Sequence, residues 1–358
     1  MISHFYESHL GGIERVAGHL CRQIIAQGHD LTWAASAQDA PPQDIPTLPL
    51  ATVNPTERLS GLPMPIPGPR GVAALWRAVG QADVVVLHDA LYITSILGLA
   101  MARMRGRRSI LIQHIAGIPF ASRVMRAIMA LANAIVTRPM LAAAGELVFI
   151  SDTVRRDLLG DAPARAYRLL FNGVDSAVFR PIGEAAPDLP PGKRHILFVG
   201  RFVEKKGLSV LRELAMLRPD LTIMTAGDGP IRPAAWGLRN VHDLGPQTAL
   251  ELAALYRSAQ WLVLPSVGEG FPLVIQEAMA CGLPVICGHP TQLADPEAGA
   301  WLRGVAVDLG DPARAAGEIS RLLDQPGPTL PQRAEMAAWA TRRYAWRAMA
   351  KALITPTG

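Results

Sequence analysis

Leu262-Val263-Leu264-Pro265-Ser266-Val267-Gly268-Glu269-Gly270-Phe271-Pro272-Leu273-Val274-Ile275-Gln276-Glu277-Ala278-Met279-Ala280-Cys281-Gly282 decides how the chain is read. Trp261 to Leu264 is an apolar run with the length of a buried strand. A turn rich in Pro, Ser and Gly follows. Leu273, Val274, Glu277 and Ala278 then keep helical spacing up to Gly282, a natural helix stop, and Pro284 to Cys287 is the next strand. Glu269 falls in the loop, and Glu277 comes eight positions later, about one turn into the helix. The amides of Gly270 and Phe271 are expected at the helix N-terminus, where unpaired N–H groups and the helix dipole favour an anion. Phosphate suits the amides, and sugar or ribose hydroxyls suit carboxylate acceptors. A nucleotide sugar offers both.

Working upstream, His195 to Gly200 is a strand that runs into Gly200-Arg201-Phe202-Val203-Glu204-Lys205-Lys206-Gly207, followed by a helix from Leu208 to Leu217. A departing pyrophosphate needs cations at such a strand end, because charge builds on it as the bond breaks. Arginine forks onto phosphate oxygens and lysine adds a point charge. Lys205 is expected to face solvent. Leu221 to Ala226 is a further strand before Gly227-Asp228-Gly229-Pro230, and Val241 to Gly245 another. Asn172-Gly173-Val174-Asp175 is a turn, and the Pro- and Gly-bearing stretch 181–193 reads as a linker.

The first half repeats the plan. Ile2 to Tyr6 is a strand stub, and Gly11-Gly12 precede an amphipathic helix with Val16, Leu20, Ile24 and Ile25 on one face. Paired glycines let a phosphate approach the backbone, although a plain tight turn reads the same way. Pro41 to Gly71 reads as an extended surface loop. Val84 to Leu87 is a strand ending at His88-Asp89, and Ile110 to Gln113 one ending at His114. Strand ends of this kind are where open α/β sheets bind ligands. His88 and Asp89 are acceptor-side candidates, with a structural role for His88 equally open. Ser151 is expected to cap a short helix from Thr153 to Leu159. Strands alternate with helices throughout, which argues for parallel sheets covered on both faces.

Glu269 to Glu277 resembles the E-x7-E motif of the retaining glycosyltransferases of family 4, which have the GT-B fold. Gly200 to Gly207 is similar to that family's G-R-x-x-x-x-K-G segment, Gly11-Gly12 to its first glycine loop, and Tyr344-Ala345-Trp346 to its closing aromatic segment. The resemblance implies two Rossmann-like domains with a cleft between them and a last helix crossing back to the first domain. It divides the chain into residues 1–180 on the acceptor side, a linker at 181–193, a donor domain at 194–338 and a returning helix at 339–358. It places the donor phosphates on Arg201, Lys206, Gly11, Gly12, Gly270 and Phe271. Ribose and base fall to Glu277, Leu244 and Val267, and the transferred sugar to Glu269 and His114. It implies transfer from a UDP- or GDP-sugar to a saccharide or lipid-linked acceptor in cell-envelope or exopolysaccharide glycan synthesis. No metal or other cofactor is expected, since Arg and Lys supply the charge. An epimerase or phosphorylase on the same fold, or a non-catalytic nucleotide-sugar-binding subunit, are the alternatives.

The 358 residues suit two domains, half of them are hydrophobic, and the net charge is +5. Three cysteines without framework spacing point to a reducing compartment, and no signal peptide or spanning stretch is evident, so a cytoplasmic protein is expected. Between Asp89 and Glu146 there are seven arginines and no acid. Arg103, Arg105, Arg107, Arg108, Arg123 and Arg126, with apolar helical runs between them, suit an anionic membrane face or an ordinary solvated one. Few aromatics lie among them, which argues against nucleic acid.

Overall fold

The computed structural model describes residues 1–9, 12–54, 64–116, 123–191 and 194–355, the side chains of 123–126 excepted. The chain divides into two compact units, Met1–Asn172 with Trp346–Gly358, and Gly173–Ala345.

In the first unit the parallel strands are β1 (Trp33–Ser36), β2 (Thr47–Leu50), β5 (Val84–His88), β6 (Arg108–Gln113), β7 (Glu146–Phe149) and β8 (Arg168–Leu169). A short antiparallel pair, β3 (Thr52–Val53) and β4 (Ile66–Pro67), lies between β2 and β5 in sequence. The stub at the start of the chain joins the two halves of the sheet. Ile2 bridges Ala34 on one side and Leu87 on the other, with Ile2 N–H donating to Val86 O at 2.8 Å and His88 N–H to Ile2 O at 3.0 Å. It is therefore the centre of the sheet, which is why its short apolar stretch is buried. The Pro-rich stretch read as a surface loop holds β2, which among the described strands pairs with β1 alone, and an edge strand tolerates Pro49. Helices Pro69–Gln81 and Ile93–Met104 bury Leu75, Val79 and Leu99 against Leu87, Leu111 and Phe149 of the sheet. Ser151 caps helix Asp152–Leu159 by accepting from Val154 N–H.

The final helix, Trp346–Ile354, belongs to this first unit and packs on helix Gly12–Ala26. It buries Trp346, Met349, Ala350 and Leu353. Its last carbonyls are held by arginine: Arg108 donates to Leu353 O at 3.3 Å and Ile354 O at 3.0 Å, and Arg168 donates to Ala352 O. Cations at a helix C-terminus satisfy orphan carbonyls and complement the dipole.

In the second unit the six strands are β9 (His195–Val199), β10 (Thr222–Ala226), β11 (Val241–Gly245), β12 (Trp261–Leu264), β13 (Val285–Gly288) and β14 (Leu302–Val305). All are parallel, in the order β11-β10-β9-β12-β13-β14. The order reverses at β9, so loops diverge there and leave a crevice at the C-terminal strand ends. The stretch expected to be a linker is not loose. Arg257 Nε donates to Glu184 O at 2.8 Å, and Ala186 N–H to Ser258 Oγ at 2.8 Å. Both passages between the units lie side by side: Val174 pairs with Ala345, and Val174 N–H donates to Tyr344 O.

Candidate functional site

The turn after β9 is set by two glycine contacts. Gly207 sits at φ 74°, and a Cβ there would fall 2.1 Å from Pro265 O. The Glu204–Lys206 turn therefore packs directly on the end of β12, and Val267 N–H donates to Lys205 O at 2.8 Å. This contact brings Lys206 to Glu269, with Nζ 2.9 Å from Oε2. Lys205 is exposed, and its Nζ also lies 3.3 Å from the other oxygen of Glu269. The loop at Gly227–Gly229 crosses just as closely, because a Cβ on Gly227 would meet Gly200 O at 2.0 Å. Phe202 N–H donates to Asp228 O at 2.7 Å, which fixes the backbone that carries Arg201. Arg201 is exposed and makes no ion pair among the described residues.

Helix Leu273–Ala280 starts at the first residue of its helical spacing, with Pro272 as its cap. The first-turn amides are those of Leu273 and Val274, and Gly270 and Phe271 lie just ahead of the cap. Proline supplies no side-chain acceptor, which leaves those amides without a local cap. Glu277 accepts a hydrogen bond from the buried Tyr256 hydroxyl at 3.1 Å. Burial, then the charge of Glu277, hold that phenol well above its usual range, so it remains a donor. Tyr256 escaped the sequence reading because it looks like an ordinary apolar position of helix Ala249–Ser258. Leu244 and Val267 are half-buried at the ends of β11 and β12. Arg201, Lys206, Glu269 and Glu277 thus share the C-terminal edge of one sheet, beside its switch point.

The first unit has its own polar cluster at the same kind of edge. His88 closes β5 and His114 follows β6; Nδ1 of His88 lies 2.9 Å from Nε2 of His114. Asp89 is 1 % exposed and sits at φ 58°, a strained region for a residue with a side chain. Its Oδ1 accepts the N–H of His114 at 2.9 Å and that of Ile115 at 3.4 Å, and its Oδ2 has no hydrogen-bond partner among the described residues. Burial drives its pKa up to about 7 against the pull of those two N–H groups. Burial likewise drives His114 down to about 3 and His88 well below 6.5. Asp89 was expected on the acceptor side; its described contacts are to backbone, and it holds the His114 turn. His4, which no motif pointed to, stacks on Tyr92 at 3.5 Å and pairs with Glu14 at 2.7 Å. Gly12 opens its helix with open space where a Cβ would be, and Gly11 lies outside the described residues.

Residues 10–178 match the family described as Glycosyltransferase Family 4, and residues 193–325 match Glycosyl transferases group 1. The chain belongs to glycosyltransferase family 4. Among curated proteins, this family 4 chain is 34 % identical over 258 residues to the D-inositol 3-phosphate glycosyltransferase of Salinispora tropica, covering 61 % of the chain and 52 % of that relative. The corresponding Mycolicibacterium vanbaalenii protein is 34 % identical over 226 residues, covering 55 % of the chain and 48 % of the relative. The chain thus spans about half the length of these relatives. Its fold is GT-B. Sucrose-phosphate synthase from Thermosynechococcus elongatus superposes with TM-score 0.72 at 20 % identity, over 96 % of this chain and 92 % of that one. Anabaena HepE in complex with UDP and glucose gives TM-score 0.63 at 17 % identity, over 98 % and 96 %.

The family 4 chain spends several of its basic residues internally. Arg107 donates to Gly80 O, Arg103 to Ala143 O at 2.7 Å, and Arg108 to Glu146 at 2.5 Å; Arg105 lies 4.0 Å over the ring of Trp76. The side chains of Arg123 and Arg126 lie outside the described residues. Ile128, Leu131 and Ile135 are 53–64 % exposed, at the spacing of one helix face. No described helix is long and apolar enough to cross a membrane.

Proposed function

We propose that this chain is a retaining glycosyltransferase that moves a hexose from a nucleoside diphosphate sugar to a saccharide or lipid-linked hydroxyl. The observation that carries the reading is the Lys206–Glu269 pair at the switch point, with Arg201 on the same edge and Glu277 held by Tyr256. Glu269 pairs with Lys206. A diphosphate would take Lys206 and Arg201, and sugar hydroxyls would take the carboxylate released. Glu277 would accept from the ribose hydroxyls. Arg201, Lys206 and the first-turn amides of Leu273 and Val274 would stabilise charge building on the leaving diphosphate, a role that needs no metal. Closure over the donor would exclude water, and the departing phosphate would take the acceptor's proton from the same face. His114 would stand beside the sugar. Leu244 and Val267 would border the base. That HepE is described in complex with UDP and glucose supports a uridine donor, although GDP fits the same contacts. The relatives' name, with inositol 3-phosphate in it, supports a polyol or saccharide acceptor.

We also propose that the protein works in the cytoplasm and rests on an anionic membrane face through the Ile128–Ile135 stripe and the exposed Arg103 and Arg105. The reaction is tested by thermal shift with UDP-, GDP- and ADP-sugars, followed by release of the diphosphate. A base-selective shift with turnover is expected; binding without turnover in any acceptor pool would favour a non-catalytic subunit.

A further inference from the structure

Two contacts decide which ring nitrogen His114 offers. His88 Nε2 lies 2.9 Å from the thioether sulfur of Met1, and His88 Nδ1 lies 2.9 Å from His114 Nε2. A thioether accepts and cannot donate, so the proton belongs to His88 Nε2. A neutral imidazole carries one ring proton, which makes His88 Nδ1 an acceptor. The proton between the rings is then on His114 Nε2. The remaining nitrogen, His114 Nδ1, keeps its lone pair and has no hydrogen-bond partner among the described residues. Both rings are enclosed, which keeps them neutral. The backbone of the same residue is pinned by Asp89 from below. Ring and main chain of His114 are therefore held independently, by the last residue of β5 and the residue after it.

We propose that His88 is a positioning residue that fixes His114 as the Nε2–H tautomer, so that His114 Nδ1 accepts a hydrogen bond from a hydroxyl of the transferred sugar. What Nδ1 meets rests on the transferase reading; the tautomer does not. A neutral acceptor suits this place. An imidazolium would repel the positive charge that develops on a sugar ring as its glycosidic bond breaks. Asp89 belongs to the same device, since it sets the height of the turn that His88 orients.

The test uses the full chain with 15N-labelled histidine. At neutral pH the His114 ring is expected to show a protonated Nε2 and a bare Nδ1. His88→Leu removes the acceptor, so His114 should populate both tautomers. UDP release from UDP-glucose, with D-inositol 3-phosphate and methyl glucosides as acceptor probes, should fall about 10-fold or more in kcat, with the donor KM little changed. His88→Gln returns an acceptor oxygen and should restore both the tautomer and most of kcat. A proton on His114 Nδ1 in the unaltered protein, or an unchanged tautomer and kcat in His88→Leu, would overturn the inference. If the unaltered protein neither binds UDP nor turns over UDP-glucose, the transferase reading fails instead, and the tautomer is still read by the spectrum.

Discussion

The acids and bases of the second unit act in pairs, so single substitutions should have unequal effects. Glu277→Ala removes a charged acceptor and leaves the Tyr256 hydroxyl buried without its partner. Arg201→Ala removes an exposed cation and disturbs nothing else. Each should lower donor kcat/KM about 10- to 150-fold, the scale of a lost charged hydrogen bond. Only Glu277→Ala should also lower the melting temperature without donor, and unchanged kinetics in both would remove these residues from the site. In the first unit, Asp89 has a folded pKa of about 7 against an ordinary 3.8. Between those values the folded chain keeps a proton that the unfolded chain releases, so this group's contribution to stability is full at low pH and is lost as pH rises through about 7. Asp89→Asn keeps an acceptor and suits the positive φ, and it should flatten that part of the pH–stability curve. An identical slope in the variant would show that Asp89 does not carry it.

At the scale of elements, the close contact of two loops sets the geometry. Gly207→Ala would place a Cβ against Pro265 O in a backbone region that L-residues avoid. Destabilisation of about 2 kcal/mol or more is expected, read as a fall of several degrees in melting temperature with weaker diphosphate binding. Helix Arg123–Ala132 and the π-helical turn Asn133–Thr137 that continues it present the other element-scale prediction. Replacing Ile128, Leu131 and Ile135 together by Ser should abolish co-sedimentation with phosphatidylglycerol vesicles and leave UDP binding intact. Binding that survives the triple change, or that is absent from the start, would discard the membrane proposal. Arg107 is a poorer target for that experiment, because its guanidinium is spent on the end of helix Pro69–Gln81.

For the whole molecule, the final helix ties the last residues of the chain to the first unit. A chain ending at Ala345 loses the burial of Trp346, Met349 and Leu353 and strands Arg108 and Arg168 without the carbonyls they cap. Calorimetry should then show the first unit melting several degrees earlier while the UDP-stabilised transition of the second unit stays in place. A single unshifted transition would mean that the helix adds little. The sequence by itself determined the alternation of strand and helix, the acids at Glu269 and Glu277 and the cations at Arg201 and Lys206, since hydrophobic period, glycine turns and spacing are local properties. It also marked His88, Asp89 and His114 as strand-end residues. Only the tertiary structure decided their partners. Lys206 meets Glu269 across 63 positions because Gly207 lets two loops touch. Tyr256 meets Glu277 because two helices pack. Ile2 is central because strands on either side leave one place open, and β2 forms from a Pro-rich stretch because an edge needs only one neighbour. Pairing between distant residues depends on chain topology, which no local window of sequence contains.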